Sequence, residues 1–219
     1  MKNEELLKKG LNEIGLSCSA QQAAAFMTYL SELKKWGRVH NLSSLKTDND
    51  IIIKHFIDSL LYLKVVPEGS LKMADAGSGA GFPGIPIKIM RPETDITLIE
   101  PARKKAVFLR HMIRLLKLEA ISVLEQRMEY LGKDHEKAFD IIVSRATFDI
   151  SEFLRLACPY IAKDGRLIAS KGPKVSEEVK ALQAMPSPPG SVKELHRFSL
   201  PFITAERNLV VLQCKSGQE

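Results

Sequence analysis

The sequence predicts an α/β fold, with a doubly wound, largely parallel sheet that follows a short helical region. Apolar residues recur at helical spacing through residues 3–64. From Leu71 onward, short β-like runs alternate with helical runs, which is the pattern of βαβ units. The last two β-like runs have no long helix between them, so we expect them to pair antiparallel at one edge of the sheet.

Composition limits the class of protein. The chain has 219 residues, enough for one α/β domain with a small extension, and its net charge of +6 suits a nucleic acid without requiring one. Cys18, Cys158 and Cys214 stand far apart without a CxxC pair, so we expect neither a disulfide framework nor a metal site. Without a signal peptide or a membrane-length apolar run, we expect a cytoplasmic protein with no membrane partner.

Residues 1–66 are predicted to form an N-terminal helical extension packed on the domain of residues 67–219, the two acting as one unit. Ser19 can cap a helix that runs to Gly37, and Asp50 or a near neighbour can cap the helical run 51–66. A polar stretch separates these two helical runs.

The predicted strands lie at 71–77, 96–101, 121–126, 139–146, 165–172, 192–200 and 207–214. The predicted helices among them lie at 84–92, 103–118 and 149–163. Doubly wound sheets bind ligands outside the carboxyl ends of their strands. That rule selects five stretches as candidates for the site: 75–81, 100, 127–129, 144–146 and 171–173.

A glycine-rich turn follows the first predicted strand, with Gly77, Gly79 and Gly81 in the spacing G-x-G-x-G. A bare backbone admits close approach of a ligand and positive φ angles. A dinucleotide turn needs its third glycine at the position that Phe82 occupies here. The spacing therefore favours S-adenosylmethionine, a nucleoside without phosphates, over a dinucleotide, and a tight turn without a ligand is the alternative.

Two acidic residues support a nucleoside ligand. Asp75 is placed near the ligand's amino group, which it can meet directly or through water. Glu100 ends the second predicted strand, where a carboxylate can accept hydrogen bonds from both ribose hydroxyls. NAD would use the same acid, and a solvated helix cap before Pro101 is the alternative for Glu100.

Four motifs occur along the chain in the order HFIDSL (55–60), DAGSGAGFPGIPIKIMRP (75–92), FDIIVSRA (139–146) and SKG (170–172). In this order they resemble the bacterial glucose-inhibited division protein B family. The resemblance runs from about Trp36 to about Val211, and FPGIP makes the glycine loop more specific than a generic methyltransferase loop. The segment NLS at 41–43, followed by H-x-x-D-S at 55–59, is a second match.

The resemblance implies a Rossmann-like, seven-stranded S-adenosylmethionine-dependent methyltransferase fold with an antiparallel last strand and an N-terminal helical extension. It implies transfer of a methyl group from S-adenosylmethionine, which becomes S-adenosylhomocysteine, to N7 of one guanine in the decoding-region loop of 16S ribosomal RNA. The partner would be that RNA or the small ribosomal subunit, and we expect a monomer. The cofactor contacts that it implies are Gly77, Phe82, Glu100, Met128, Glu129 and Arg145.

This sequence departs from the family at two of those positions. Met128 stands where small or branched residues are common in relatives, and Glu100 stands where some relatives have Asp. We expect the backbone at Met128 still to bind the adenine, with its side chain on the ring.

Guanine N7 carries a free lone pair, so its methylation needs no general base. The enzyme's remaining task is to align the reactants, and alignment of this kind can lower the activation free energy by roughly 7–11 kcal/mol. Because the product purine is cationic, arginines should hold phosphates or the guanine O6 edge. Arg145 and Lys171 are the positioning candidates, with a rim salt bridge and a solvated loop lysine as the alternatives.

The residues expected to contact RNA are Lys34, Lys35, Arg38, Asn41, Lys171 and Arg207. The basic run 103–117 is interpreted as a solvated helix face. His55 and Asp58, one helical turn apart, should brace the extension against the glycine loop. A methyltransferase for a small molecule or another RNA, a non-catalytic RNA-binding module and a NAD oxidoreductase are the alternative functions.

Overall fold

The computed structural model describes residues 2–40, 47–145 and 147–215, with the side chains of 38–40 left out. Seven strands form one sheet in the order β3-β2-β1-β4-β5-β7-β6. They are β1 (Lys72–Ala76), β2 (Asp95–Ile99), β3 (Ile121–Leu124), β4 (Phe139–Arg145), β5 (Ile161–Lys171), β6 (Gly190–Ser199) and β7 (Glu206–Cys214). Strands β1 to β5 pair in parallel, and β7 runs antiparallel to β5 and β6. The predicted fold class and the antiparallel last strand are confirmed.

The helices are α1 (Asn3–Glu13), α2 (Ala20–His40), α3 (Asp48–Ile51), α4 (Asp58–Leu60), α5 (Gly84–Met90), α6 (Arg103–Leu115), α7 (Ile150–Ala157) and α8 (Val175–Gln183). Helices α3 and α4 belong to one helical run, 48–64, with a π-helical turn at Ile52–Ile57 between them and a 3-10 turn at Leu61–Lys64 after them. Ser19 caps α2 as predicted, since its Oγ accepts a hydrogen bond from the Gln22 N–H at 3.1 Å. The cap of the 48–64 helical run is Thr47, whose side chain accepts a hydrogen bond from the Asp50 N–H.

Two hydrophobic clusters cover the two faces of the sheet, because successive side chains of a strand point to opposite faces. Met73 of β1 packs in the first cluster with α1, α2, the 48–64 helical run, α5 and α6. Ala74 packs in the second cluster with α7 and α8. The N-terminal helices therefore share their core with one face of the sheet.

Two predicted features of the second half of the chain are wrong or incomplete. The predicted helix 149–163 ends at Ala157, since a 3-10 turn containing Pro159 follows and β5 already begins at Ile161. Proline lacks the N–H that would continue the helix. Helix α8, between β5 and β6, is absent from the predicted elements.

The cysteines correct a second expectation. Cys158, directly after α7, and Cys214, at the end of β7, form a disulfide with their Cα atoms 5.6 Å apart. The fold brings the ends of these two elements together within the range that a disulfide spans, a proximity that sequence spacing does not reveal. Cys18 is a free thiol and is half-buried. No helix in the described ranges has both the length and the apolar character needed to cross a membrane.

Candidate active site

The glycine turn joins β1 to α5 at the carboxyl edge of the sheet. It lies next to the boundary between β1 and β4, where the strand order reverses. Gly77, Gly79 and Gly81 have φ angles of 75°, 60° and 100°, a region that residues with a side chain rarely adopt. A Cβ on Gly77 would lie 2.8 Å from Thr147, whereas one on Gly79 would meet only a backbone oxygen at 3.9 Å. The turn is therefore packed at Gly77 and bare at Gly79.

Glu100 ties the end of β2 to this turn. Its Oε2 accepts a hydrogen bond from the Gly79 N–H at 2.8 Å, and its Oε1 accepts one from the Ala102 N–H at 2.9 Å. The side chain is buried. A carboxylate with two oxygens has about four acceptor positions, so these two bonds leave capacity for further donors.

Asp75 lies fully buried beneath the turn. Its Oδ2 accepts a hydrogen bond from the Gly84 N–H at 2.9 Å, and its Oδ1 has no hydrogen-bond partner among the described residues. Burial raises the pKa of Asp75 to about 7, since the ionised form loses its hydration. A buried oxygen without a partner is costly unless a ligand or water satisfies it.

Phe82 contacts two side chains that are hydrogen-bonded to each other. The His55 ring stacks on it with centroids 4.4 Å apart, and the Arg145 guanidinium carbon lies 4.9 Å from its centroid. Arg145 donates hydrogen bonds to the Lys54 carbonyl at 3.2 Å and to His55 Nδ1 at 3.1 Å. Burial and the neighbouring Arg145 charge lower the pKa of His55 to about 3, so its ring is neutral and can accept this bond.

Asp58 joins the 48–64 helical run to the ends of β4 and β7. Both of its oxygens accept hydrogen bonds from Arg207 Nε, at 3.1 and 3.0 Å, and Arg145 Nη1 lies 3.8 Å from Oδ2. Burial raises the pKa of Asp58, and the two arginine charges oppose that rise. Of the two residues expected to brace the glycine loop, His55 contacts it through Phe82, whereas Asp58 pairs with arginines of β4 and β7 instead.

The other predicted cofactor residues follow β3. Met128 is buried in the 3-10 turn Met128–Tyr130, within the second hydrophobic cluster. Glu129 is exposed, and its carboxylate lies 3.7 Å from Arg127. Met128 therefore contributes to the core, while the Glu129 side chain is open to solvent.

The predicted RNA contacts are divided between two regions. Lys34 and Lys35 lie on α2 and form ion pairs with Asp48 at 2.5 Å and Glu32 at 2.6 Å. Lys171, buried at the end of β5, donates to the Phe148 carbonyl and lies 2.8 Å from Glu178.

Arg207 belongs to the Asp58 cluster described above. The Arg38 side chain and Asn41 lie outside the described residues. The contacts thus bring Gly79, Glu100, Phe82 and Arg145 to one region and leave Lys34 and Lys35 on α2.

Sequence reasoning did not identify two tyrosines that support the site. The Tyr29 hydroxyl donates to the carbonyl of Ala80 in the glycine turn, and the Tyr62 hydroxyl donates to the Ser144 carbonyl at 2.6 Å. Both side chains are fully buried. A hydroxyl on an otherwise apolar helix face was the available signal, because a buried hydroxyl must find an acceptor.

This strand order, the bare glycine turn and the acid after β2 define the class of Rossmann-like, S-adenosylmethionine-dependent methyltransferases. A predicted O-methyltransferase from Agrobacterium tumefaciens superposes with a TM-score of 0.57 at 23% identity, covering 72% of this chain and 80% of that chain. An S-adenosylmethionine-dependent methyltransferase from Aquifex aeolicus gives 0.56 at 16% identity, covering 74% and 92%. M. jannaschii TYW2 in complex with AdoMet gives 0.55 at 13% identity, covering 72% and 74%.

The sequence comparisons identify the family. The model of the family described as GidB, rRNA small subunit methyltransferase G, matches residues 22–210. Ribosomal RNA small subunit methyltransferase G of Geotalea uraniireducens is 41% identical over 211 residues, 96% of each chain. Its namesake in Staphylococcus epidermidis is 35% identical over 213 residues, 95% of this chain and 88% of that one. The chain therefore belongs to the rRNA small subunit methyltransferase G family, which confirms the resemblance found in the sequence.

Proposed function

We propose that this protein transfers the methyl group of S-adenosylmethionine to N7 of a guanine in 16S ribosomal RNA, free or within the small ribosomal subunit. The observation that carries the proposal is the bare backbone of Gly79 hydrogen-bonded to Glu100, within a chain that belongs to this family. We expect the protein to act as a monomer in the cytoplasm.

The residues present fit this cofactor. Gly79 offers open backbone, Glu100 retains acceptor capacity for the ribose hydroxyls, and the unpartnered Asp75 Oδ1 can accept from an ammonium group directly or through water. The further contacts that we propose are Gly77, Gly81, Phe82, Met128, Glu129 and Arg145. When bound, S-adenosylmethionine supplies an electrophilic methyl group on a sulfonium.

Arg145 is the side chain that we assign to positioning beside the cofactor. It is held in one place by the Lys54 carbonyl, His55 and the Phe82 ring. The Asp58 carboxylate, 3.8 Å away, offsets part of its charge. This matters because methylation at N7 makes the purine cationic, and a bare guanidinium against the ring would oppose the reaction.

Proton transfer is not needed before attack, since the lone pair of N7 is free. The surrounding groups agree with this requirement. His55 is neutral, with its Nδ1 occupied by Arg145, and Asp75 is fully buried beneath the turn. We therefore assign neither of these two residues to acid–base chemistry.

Four of the RNA contacts that we propose involve side chains with an acid partner inside the protein. Lys34, Lys35, Lys171 and Arg207 pair with Asp48, Glu32, Glu178 and Asp58. Because an RNA phosphate must compete with that acid partner, we expect each of these contacts to contribute only modestly to the affinity for RNA. Arg38 and Asn41 complete the proposed set.

The test is methyl transfer from labelled S-adenosylmethionine to 16S RNA and to small subunits that lack the modification, followed by nucleoside analysis. We expect label in N7-methylguanosine alone. Label in another nucleoside would overturn the acceptor assignment. Transfer to a small molecule with none to RNA would support the alternative methyltransferase function.

A further inference from the structure

Helix α6 carries positive charge that the proposed active site does not use. Its sequence, RKKAVFLRHMIRL, contains no acidic residue. Its buried face consists of Ala106, Phe108, Leu109 and Met112. Its exposed face presents Arg103, Val107, Arg110 and Arg114, each about one helical turn from the next. The basic residues therefore form a continuous strip on the outside of the helix.

A groove runs along this strip. A cavity of about 560 Å³ lies between α6 and β3, with an apolar floor that includes Ile113, Ile121 and Val123. Arg110 and Arg114 line the same cavity. Strand β3 is the outer strand of the described sheet, so no further strand covers this side. The groove thus combines an apolar floor with a cationic wall.

The charge of this wall is only partly balanced within the protein. Arg110 forms an ion pair with Glu125 at 2.8 Å. Across the described ranges, neither Arg103 nor Arg114 has a carboxylate within 4.0 Å. Lys34, Lys35, Lys171 and Arg207, by contrast, each have an acid partner. The α6 strip is consequently better able to take an external anion than those side chains are.

We infer that α6 and β3 form a docking surface for the sugar-phosphate backbone of RNA, separate from the site that receives the methylated guanine. This inference rests on the proposed function. The phosphates would pair with Arg114 and, in competition with Glu125, with Arg110, and the sugar and base edges would lie on the apolar floor. Charge complementarity selects RNA, since the exposed strip contains arginines and one valine and no acid.

The position of this surface determines which part of the RNA it can bind. Arg103 begins α6 three residues after Glu100, at the edge of the cofactor site. The 13-residue helix then extends away for about 20 Å. RNA lying on it belongs to a segment beyond the target loop, so a long substrate should use the surface and a short loop fragment should not.

The test compares the double variant Arg110→Gln/Arg114→Gln with the double variant Arg155→Gln/Arg166→Gln, which removes two exposed arginines from other elements. Binding to 16S RNA, to assembled small subunits and to a short hairpin of the target loop is measured across a salt series. With 16S RNA, the first variant should raise Kd roughly tenfold and reduce the slope of log K against log salt by about 1.4. With the short hairpin, and for the control variant with either RNA, Kd should be unchanged.

Three results would overturn the docking surface. One is equal Kd values for the two double variants on 16S RNA. The second is an equal loss of affinity for the hairpin and the long RNA. The third is a defect confined to assembled subunits with none on free 16S RNA, which would mean that the groove binds a ribosomal protein. Failure of the proposed function is a separate observation, since it would show in the wild-type protein as absence of N7-methylguanosine.

Discussion

Replacing the Asp58 carboxylate by an amide, Asp58→Asn, should weaken both the fold and the active site. In the wild-type protein this buried carboxylate accepts two bonds from Arg207 and lies 3.8 Å from Arg145. The amide keeps the shape, removes the negative charge and leaves two arginines facing each other. It therefore isolates the electrostatic contribution of the cluster.

The magnitude follows from how far the partners are buried. Breaking a buried ion pair costs about 3–5 kcal/mol because the remaining charge is uncompensated. The Arg145 and Arg207 side chains are still 16% and 24% exposed, so water offsets part of the loss. We expect the free energy of unfolding to fall by about 3 kcal/mol, which lowers Tm by roughly 6–12 °C for a chain of this size.

Denaturant unfolding and thermal melting measure this change, and Asp50→Asn is the matched control. Asp50 lies on the same helical run and pairs with Lys54, but both side chains are more than a third exposed to water, so this ion pair contributes little. Methyl transfer by the folded Asp58→Asn protein should fall mainly in kcat, since Arg145 loses part of its support. Equal unfolding midpoints for the two variants would refute the assigned role of the cluster.

Three further predictions concern the glycine turn and its acids. Asp75→Asn tests the pKa of about 7 for Asp75. The folded wild-type protein holds the Asp75 proton more tightly than the unfolded chain does, so its free energy of unfolding should fall as the pH rises from about 4 to about 7. The fall should be on the order of 4 kcal/mol relative to the variant, which has no proton to lose at this position. Denaturant titrations across that pH range measure the difference in free energy of unfolding between the wild type and the variant. A difference that does not change with pH would exclude the raised pKa of Asp75. Gly77→Val places a branched side chain at a φ of 75° with its Cβ 2.8 Å from Thr147. The strain of about 1–3 kcal/mol should weaken the binding of S-adenosylhomocysteine, measured by calorimetry, roughly 5- to 150-fold. Gly37→Val is its control, since a Cβ there meets nothing within 4 Å, and equal affinities would reject the loop assignment. Glu100→Gln should weaken binding of S-adenosylhomocysteine by about 1.5–3 kcal/mol relative to the wild type. For a 2′,3′-dideoxy analogue, which has no ribose hydroxyls, the wild type and the variant should bind equally well. If the variant lost the same binding free energy with the analogue, Glu100 would not bind the ribose.

Much of the fold is predictable from local pattern. Alternating β-like and helical runs locate all seven strands, and the hydroxyl of Ser19 marks the start of α2. One error passed over a local signal, and the other lies where tertiary contacts decide. The turn after Ala157 depends on Pro159, and the Cys158–Cys214 bond depends on how α7 and β7 meet.

The candidate site divides in the same way. Gly79 and Glu100 are recognisable because their residue types follow strand ends, and their hydrogen bond confirms that they meet. Asp58 and Arg207, which form an ion pair, are 149 positions apart, and no pattern in the sequence predicts that they pair. Sequence therefore predicts which strand ends carry chemistry, whereas the partner of each charge requires the structure.

The measurement that tests the central claim most directly is a crystal structure of the protein grown with S-adenosylhomocysteine. We predict the nucleoside across the glycine turn, with its ribose hydroxyls on the Glu100 carboxylate and its amino group towards Asp75. A nucleoside bound elsewhere, or a turn left empty at saturating ligand, would contradict the account.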